Sequence, residues 1–312
     1  MDDLVLYRSG APIGIIAPSM LFARSRHGIF FNGPHGIGLL RTEDEPGLQD
    51  ALSSSGSLVP GTPEEITKIQ ALLGDPITSR TASYLLCGAR CCADVIQDLD
   101  DLACSTVVIA GCGGIGSAVA LLLAGSGIKK FRLIDPDVIE KSNLNRQLFW
   151  TLQDLGRFKA ETLAKVLKAR FEGLALEVQS AETSIVQLCE LCASDVDALV
   201  VTADNPGTLA SQARRITDEC GVPVISGGYI HGSMIIFTFM PHSSASINDG
   251  HVACPIDWQR LPSSIMPSYG PMNMALAAEI SDRVIKSIAY RSFGRPDTSV
   301  SQRKMEDLCK VI

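Results

Sequence analysis

Two short runs of residues could bind a phosphate. Gly111-Cys112-Gly113-Gly114-Ile115-Gly116 follows the hydrophobic segment 107–110 and precedes an apolar helical pattern. Glycines let a chain turn sharply and let a phosphate approach backbone N–H groups at the positive end of a helix. A second hydrophobic segment, 131–134, ends at Asp135, from which a carboxylate can accept hydrogen bonds from a ribose. These features predict a nucleotide site, for either a nicotinamide dinucleotide or ATP.

The residues after Asp135 distinguish between these two ligands. The run from Asp135 to Gln147 is dense in polar side chains and includes Asn143 and Arg146. It follows a strand, and α/β sheets bind ligands beyond the carboxyl ends of their strands. A dehydrogenase does not need an asparagine and an arginine clustered there. A triphosphate does, because the guanidinium binds two phosphate oxygens and the amide donates a hydrogen bond.

The spacing of these residues resembles that of the E1-like adenylating enzymes, the superfamily of ThiF, MoeB and ubiquitin-activating enzymes. The resemblance rests on the glycine loop, Asp135-Pro136-Asp137, Ser142-Asn143-Leu144-Asn145-Arg146-Gln147, Gly156-Arg157-Phe158-Lys159 and Thr202-Ala203-Asp204-Asn205. It covers residues 78–290. It implies an enzyme that uses MgATP to activate a carboxylate as an acyl-adenylate, with release of pyrophosphate.

The resemblance also implies a role for each matching residue. The loop glycines and the two aspartates contact the nucleotide, three further residues contact the triphosphate, one glutamine supports them, and one aspartate binds Mg²⁺. The residues that contact the nucleotide are Gly111, Gly113, Gly114, Gly116, Asp135 and Asp137. The residues that contact the triphosphate are Asn143, Arg146 and Lys159, with Gln147 supporting them and Asp204 binding Mg²⁺. The alternatives are a solvated charge for Lys159 and a helix cap for Asp204.

Members of this superfamily also use an arginine from a partner subunit, about thirty residues before the glycine loop. Ser79-Arg80-Thr81 lies at that distance. The resemblance therefore implies that Arg80 acts in trans within a homodimer. The alternative for Arg80 is a surface salt bridge.

The cysteines do not predict a zinc site. Relatives often hold zinc with two Cys-x-x-Cys pairs near the last helix, whereas Cys189 and Cys192 precede a strand and Cys254 and Cys309 stand alone. Zinc takes about four ligands, and adding His242 and His251 gives only an irregular set. Most of the ten cysteines are expected to be buried thiols, and Cys254 to be a spare thiol rather than an acyl acceptor.

Charge and hydropathy indicate the class of protein. The net charge of −7 argues against binding to nucleic acid or to an anionic membrane. No signal peptide is recognisable at the N-terminus, so we expect reduced thiols and a cytoplasmic location. The apolar stretch 107–128 is rich in glycine in its first third, which favours a strand, a turn and a helix over a membrane span.

The pattern of elements predicts two domains. Residues 1–75 show three short strands followed by two helices, with a loop over 53–61, and are predicted to form a small β-then-α module. Its resemblance to the recognition modules of E1-like peptide-modifying enzymes implies a winged-helix-like, peptide-recognition type. Residues 76–312 alternate strands with helices and end in a helix over 273–290. This alternation predicts an α/β fold with a Rossmann-like, mainly parallel sheet and helices on both faces.

The N-terminal module suggests the substrate. A small module ahead of an E1-like domain resembles the enzymes that modify ribosomally made peptides, such as those that mature microcin C and pantocin, and Ser268-Tyr269-Gly270-Pro271 resembles them too. In such enzymes the module binds a leader peptide as an added strand. The resemblance implies a precursor peptide as partner, with an internal nucleophile capturing the adenylate. The alternatives are an activator of a ubiquitin-like sulfur carrier, a non-catalytic leader-binding scaffold and, last, a dehydrogenase. The residues leave open which carboxylate is activated, which nucleophile captures it and what product forms.

Overall fold

The computed structural model describes residues 2–41, 44–203, 209–230, 232–241 and 268–304. The chain forms two compact units. The first comprises Met1–Ala103 together with Ala289–Arg295, and the second comprises Cys104–Ile288 together with Pro296–Ile312.

The first unit contains two three-stranded antiparallel sheets. Strands β1 (Val5–Arg8), β2 (Ala11–Ile16) and β6 (Leu58–Pro60) form one sheet, in the order β1-β2-β6. Strands β3 (Leu21–Ser25), β4 (Gly28–Gly33) and β5 (Gly36–Leu40) form the other, in chain order. The second sheet confirms the three strands that the sequence predicts.

The first sheet corrects the prediction of three strands followed by helices. Ser9 and Gly10 both have positive φ and join β1 to β2 in a tight hairpin. The predicted loop over 53–61 contains β6, whose Val59 pairs with Ile15 of β2. A three-residue strand has too few residues to show an alternating pattern, so pairing across the chain reveals it.

Four helices complete the first unit: α1 (Glu45–Ser54), α2 (Pro63–Gly74), α3 (Ser79–Leu85) and α4 (Cys92–Cys104). Strand β6 lies between α1 and α2, so the module is not simply β-then-α. At the start of α2, Thr62 and Glu65 form a reciprocal capping box and Pro63 occupies the first helical position.

The division by packing differs from the boundary predicted at 75/76. One hydrophobic core contains Ile15 of β2 and Ile69 of α2 together with Leu85, Leu86 and Val95 from beyond that boundary. The chain therefore passes the predicted boundary without leaving this core, and the first unit extends to Ala103. The cause is that α3 and α4 pack their apolar faces against β2 and α2.

The second unit is built on a seven-stranded sheet. Its strands are β7 (Thr106–Ala110), β8 (Lys130–Ile134), β9 (Ala175–Gln179), β10 (Ala198–Val201), β11 (Val224–Ile230), β12 (Ser233–Phe239) and β13 (Ser299–Lys304). The order is β13-β12-β11-β10-β7-β8-β9. The five strands from β11 to β9 are parallel, and β12 and β13 are antiparallel additions. This confirms the predicted Rossmann-like, mainly parallel sheet, while β13 was not predicted.

Among the residues that the structure describes, five helices flank this sheet: α5 (Gly116–Gly125), α6 (Lys159–Arg170), α7 (Ile185–Cys192), α8 (Leu209–Cys220) and α9 (Gly270–Ile288). Helices α7 and α8 share a hydrophobic core with β7 and β10, whereas α5 packs against α9. The predicted helices on both faces are thereby confirmed. Helix α9 begins three residues before its predicted start, and α7 was not predicted. Among the described helices, not one has the length and apolar composition needed to cross a bilayer.

Candidate functional site

The glycine loop joins the end of β7 to the start of α5. Gly111 has φ of +99°, which a residue with a side chain rarely adopts, and its N–H donates to the Ile134 carbonyl at 2.8 Å. A Cβ on Gly116 would overlap the Gly111 carbonyl oxygen, which also accepts a 2.9 Å hydrogen bond from Thr202. The loop is therefore folded back on itself so tightly that only glycine fits at its first and last positions.

Asp135 organises this loop from the end of β8. Its side chain is 5% exposed, and its two oxygens accept hydrogen bonds from the backbone N–H groups of Cys112 (2.6 Å) and Asp137 (2.9 Å). Burial raises the pKa of Asp135 above its ordinary value, and the positive charge of Lys159 opposes that rise. A carboxylate has about four acceptor positions, so this one retains acceptors beyond the two already used.

Lys159 is buried and paired rather than solvated. It is the first residue of α6 and is 7% exposed. Its Nζ lies 2.7 Å from Oδ2 of Asp137, whose side chain is 63% exposed. The backbone N–H of Lys159 also donates to the Asp137 carbonyl. The alternative of a freely solvated charge is excluded, and a buried ammonium with one accessible carboxylate partner is suited to exchange that partner for a phosphate.

The polar run after β8 is held by its own side chains. The Asn143 side-chain oxygen accepts from the Glu140 N–H at 3.1 Å, and the Gln147 side-chain oxygen accepts from the Trp150 indole at 2.6 Å. Asn143 and Gln147 are both buried. Arg146 is half-buried, and its guanidinium donates to the Ser142 carbonyl at 2.6 Å. The run is therefore a turn held by hydrogen bonds among its own side chains and backbone.

Most of the predicted site residues come together in the second unit. Asp135 contacts the glycine loop through Cys112, and a Cβ on Gly113 would lie 3.8 Å from Nε2 of Gln147. The Arg146 backbone lies against Gly114, where an added Cβ would be 3.3 Å from the Arg146 carbonyl oxygen. The loop, the two aspartates, the polar run and Lys159 thus form one continuous surface after β7 and β8.

The structure gives a role to two residues to which the sequence motifs assigned none. Thr202 follows β10 and donates to the Gly111 carbonyl. Asn273, in the first turn of α9, is 2% exposed and its amide nitrogen lies 3.5 Å from the Arg146 carbonyl oxygen. The signal for Thr202 was available, because it is a polar residue directly after a strand. Asn273 had none, since 127 residues separate it from Arg146.

The two remaining predicted site residues are Arg80 and Asp204. Arg80 lies on α3 in the first unit and is exposed. Within the described part of the chain its guanidinium forms no ion pair or hydrogen bond, so the surface salt bridge finds no support there. Asp204 lies outside the described residues.

The sequence argued against a zinc site and indicated a spare thiol at Cys254. Cys254, Cys309, His242 and His251 lie outside the described residues. Within the ranges that the structure describes, no three or more His, Cys, Asp or Glu residues form a group that could hold a metal ion. Cys112 is buried, and burial next to the Asp135 charge raises the pKa of its thiol well above the ordinary value. Burial therefore disfavours the thiolate form of Cys112, which is the form that acts as a nucleophile.

Comparison with known proteins identifies the family. The sequence pattern of the ThiF family matches residues 93–306, more than two thirds of the chain. The chain belongs to the ThiF family. The matched region begins within α4 and contains every predicted site residue except Arg80.

Two curated relatives of the chain are an activating enzyme E1 and an adenylyltransferase and sulfurtransferase. The chain is 29% identical over 149 residues to the SAMP-activating enzyme E1 of Haloferax volcanii, covering 47% of this chain and 51% of that one. It is 30% identical over 139 residues to the adenylyltransferase and sulfurtransferase uba4 of Neosartorya fischeri, covering 43% and 26%. The chain therefore spans about a quarter to a half of the length of these relatives.

A solved structure matches the fold over almost the whole chain. E. coli MccB bound to succinimide has a TM-score of 0.72 at 20% identity, covering 94% of this chain and 96% of that one. The microcin C7 biosynthetic enzyme MccB in complex with N-formylated MccA matches with a TM-score of 0.67 at 21% identity and 94% coverage. At this identity the match shows a shared fold, and its coverage includes most of the first unit of this ThiF-family chain.

Proposed function

We propose that this ThiF-family chain is an ATP-dependent adenylating enzyme whose substrate is a carboxylate on a ribosomally made precursor peptide. The observation that carries the adenylation step is the continuous surface after β7 and β8. There a glycine loop at a helix N-terminus, a buried carboxylate, Lys159 and Arg146 lie in contact. Such a surface suits a nucleotide triphosphate, because it combines N–H donors with two cations.

The chemistry is a displacement at the α-phosphorus of ATP. A substrate carboxylate oxygen forms the new P–O bond, the bond to the β-phosphate oxygen breaks, and pyrophosphate leaves with its electron pair. Lys159 and Arg146 are proposed to neutralise charge on the phosphates, and Asp135 to hold the ribose. An internal amide, amine or carbon nucleophile then attacks the acyl carbon and releases AMP. The protein acts by positioning and charge stabilisation.

The proposal includes a magnesium ion bound by Asp204 and phosphate oxygens. Mg²⁺ prefers oxygen ligands and commonly uses one or two carboxylates together with substrate phosphates. Asp137 is an accessible carboxylate close to Lys159, but its Oδ2 is already paired with that ammonium. We therefore assign the metal to Asp204 alone among the protein side chains.

The proposal also includes a homodimer in which Arg80 reaches the partner subunit's nucleotide. Arg80 supports this because it is exposed on α3 and its guanidinium has no partner within the described residues. An arginine that joins a site in this way adds positive charge where phosphates react.

The first unit supports a peptide substrate. The two curated relatives match less than half of this chain, whereas MccB, which has been solved with MccA, matches 94% of it. Strand β3 lies at the edge of its sheet, and all five of its residues are exposed, including Leu21 (66%) and Phe22 (65%). An edge strand with exposed apolar side chains can accept a peptide as an added strand.

A second candidate function is the activation of a ubiquitin-like sulfur carrier. The names of the curated relatives favour it, since uba4 is an adenylyltransferase and sulfurtransferase. A scaffold that only binds a leader is a third candidate. It is disfavoured because Asp135, Arg146 and Lys159 are all present and in contact with the surface after β7 and β8.

ATP–pyrophosphate exchange tests the adenylation step. We expect exchange that depends on Mg²⁺ and on an added precursor peptide, and that is lost in Arg146→Ala and in Asp204→Ala. Losing a phosphate contact costs several kcal/mol of transition-state stabilisation, about a hundredfold or more in rate. Arg90→Ala is the matched control, since that exposed arginine pairs with Asp94 in the first turn of α4.

Each result of this experiment has a distinct meaning. Near-normal exchange by a folded Arg146→Ala variant would contradict the assignment of the site. Exchange that requires a carrier protein ending in Gly-Gly, and not a peptide, would select the sulfur-carrier function. No exchange with either partner, together with leader binding, would select the scaffold.

A further inference from the structure

The start of α9 connects the end of β11 to the polar run that carries Arg146. Tyr229, the penultimate residue of β11, donates from its hydroxyl to Ser268 Oγ at 2.8 Å and accepts from the Tyr269 N–H at 3.0 Å. Tyr269 is the residue before α9, and its carbonyl accepts from the Asn273 N–H. One phenolic hydroxyl therefore fixes two consecutive residues at the helix N-terminus, where backbone N–H groups otherwise lack partners.

The other side of the same helical turn contacts Arg146 and the glycine loop. A Cβ on Gly270 would lie 3.7 Å from the Arg146 Cα, and the Asn273 amide nitrogen lies 3.5 Å from the Arg146 carbonyl oxygen. A Cβ on Gly114 would overlap that same amide nitrogen. The buried amide of Asn273 thus lies between the Arg146 backbone and the loop.

These contacts form a chain from Tyr229 through the first turn of α9 to Arg146. The Arg146 guanidinium is half-buried and donates to Ser142 and Asn145, both within its own run. Because Ser142 and Asn145 belong to the same run, these contacts do not fix Arg146 relative to the rest of the second unit. Outside its own run, the backbone of Arg146 lies against Asn273, Gly270 and Gly114.

We propose that Tyr229 and Asn273 are positioning residues for the adenylation reaction, acting through Arg146. Tyr229 sets the start of α9, and Asn273 transmits that position to the Arg146 carbonyl and to Gly114. This inference rests on the proposed function, because it concerns the geometry of the same phosphate contact. A small displacement of a charged group from its reacting partner lowers rate far more than it lowers stability.

The test uses Tyr229→Phe and Asn273→Asp in the full-length protein. Phenylalanine keeps the ring and removes only the hydroxyl, and aspartate keeps the shape while replacing the amide donor with an oxygen. We expect kcat for ATP–pyrophosphate exchange to fall about tenfold or more in each variant, with KM for ATP changed less. Tyr290→Phe is the matched tyrosine control, and Ser281→Ala is the matched buried position on α9, where the hydroxyl has no hydrogen-bond partner among the described residues.

A double-mutant cycle with Arg146→Lys separates positioning from general destabilisation. If Tyr229 acts through Arg146, Tyr229→Phe has less than about a twofold further effect once the guanidinium is gone, because residues acting through one contact are not additive. The cycle is measured on exchange and, in parallel, on ATP affinity by calorimetry, so that very slow variants remain measurable. Thermal unfolding of every variant is recorded.

The outcomes separate this inference from the proposed function. If Tyr229→Phe and Asn273→Asp both leave kcat unchanged while Arg146→Ala abolishes exchange, the inference is wrong and the adenylation site stands. If their effects are fully additive with Arg146→Lys, they act by another route and the inference is also wrong. If Arg146→Ala itself exchanges normally, the proposed function fails first.

Discussion

At the scale of single residues, Asp135 is the most constrained group in the candidate site. It is buried, and its two oxygens accept from two backbone N–H groups on different segments. The same two oxygens therefore have a structural role and a proposed role in binding. The carboxylate holds the loop to the segment after β8, and it is proposed to hold the ribose with the acceptor positions that remain.

We predict that Asp135→Asn lowers ATP–pyrophosphate exchange at least about tenfold, since it replaces one acceptor with an NH₂ group that faces a backbone N–H. Asp154→Asn is the control, because Asp154 caps a surface turn at Thr151 and its pKa is lowered rather than raised. Exchange rates that fall equally in both variants would show that Asp135 has no special role.

The same residue predicts a pH dependence of stability. Burial raises the pKa of Asp135 in the folded protein above its unfolded value. Folding is therefore most favoured by this group when it is protonated, below the unfolded pKa. That contribution is lost as pH rises through the folded pKa. We expect urea unfolding of Asp135→Asn to lack this decline with pH. An identical pH profile in the variant and the parent would contradict the expectation.

At the scale of elements, the turn from β7 into α5 determines whether the nucleotide surface exists. Its glycines are not equivalent, because the space around them differs. A Cβ at Gly116 meets the Gly111 carbonyl, whereas a Cβ at Gly125, at the other end of α5, meets only the Phe171 ring at 3.7 Å. The same helix thus offers an intolerant and a tolerant glycine.

We predict that Gly116→Ala destabilises the protein by more than about 2 kcal/mol and abolishes nucleotide binding, because backbone overlap cannot be relieved by a side-chain rotation. Gly125→Ala is expected to be neutral or to stabilise by about 0.5–1 kcal/mol, since alanine favours the helix. Thermal unfolding and ATP calorimetry measure both. A Gly116→Ala protein that binds ATP normally would disprove the described loop geometry.

At the scale of the whole molecule, the limits of the first unit change how its role is tested. Deleting residues 1–75 would remove Ile15 and Ile69 from a core that also contains Leu85, Leu86 and Val95. The remaining protein would expose those side chains to water. Loss of peptide binding in such a truncation would therefore report damage to the core as well as loss of the module.

Substitutions at the sheet edges avoid this damage. We predict that Phe22→Asp on β3 weakens binding of a precursor leader peptide at least about tenfold while ATP affinity is unchanged, because strand addition places apolar side chains beside it. Ile37→Asp on β5, the other edge of the same sheet, is the matched control, since Ile37 is 70% exposed. Calorimetry of full-length variants measures both affinities. Equal peptide affinity in the Phe22→Asp variant and the parent protein would exclude β3 as the docking edge.

The metal content is a property of the whole chain. The sequence lacks paired Cys-x-x-Cys motifs around the last helix, and a structural zinc takes about four nitrogen or sulfur ligands. We expect elemental analysis of protein purified without chelators to find no stoichiometric zinc. About one zinc per chain would show that Cys254 and its neighbours form a site.

The sequence by itself determined the features that depend on neighbouring residues. The glycine loop between a strand and a helix and Asp135 at the end of β8 are both local. Their physical requirements are a turn with positive φ, a strand end and a helix start. Each such requirement restricts the residue type at one position. The parallel sheet also followed, because its strands alternate with helices of recognisable period.

Only the tertiary structure decided what depends on distant parts of the chain. Strand β6 pairs with β2, α3 and α4 join the core of the first unit, and Asn273 meets the Arg146 backbone. In each case a short or ordinary segment acquires its role from a partner far away in sequence. The periodicity of a segment predicts which of its residues are buried, but it does not predict which residues they contact. Those contacts depend on the packing of the complete fold.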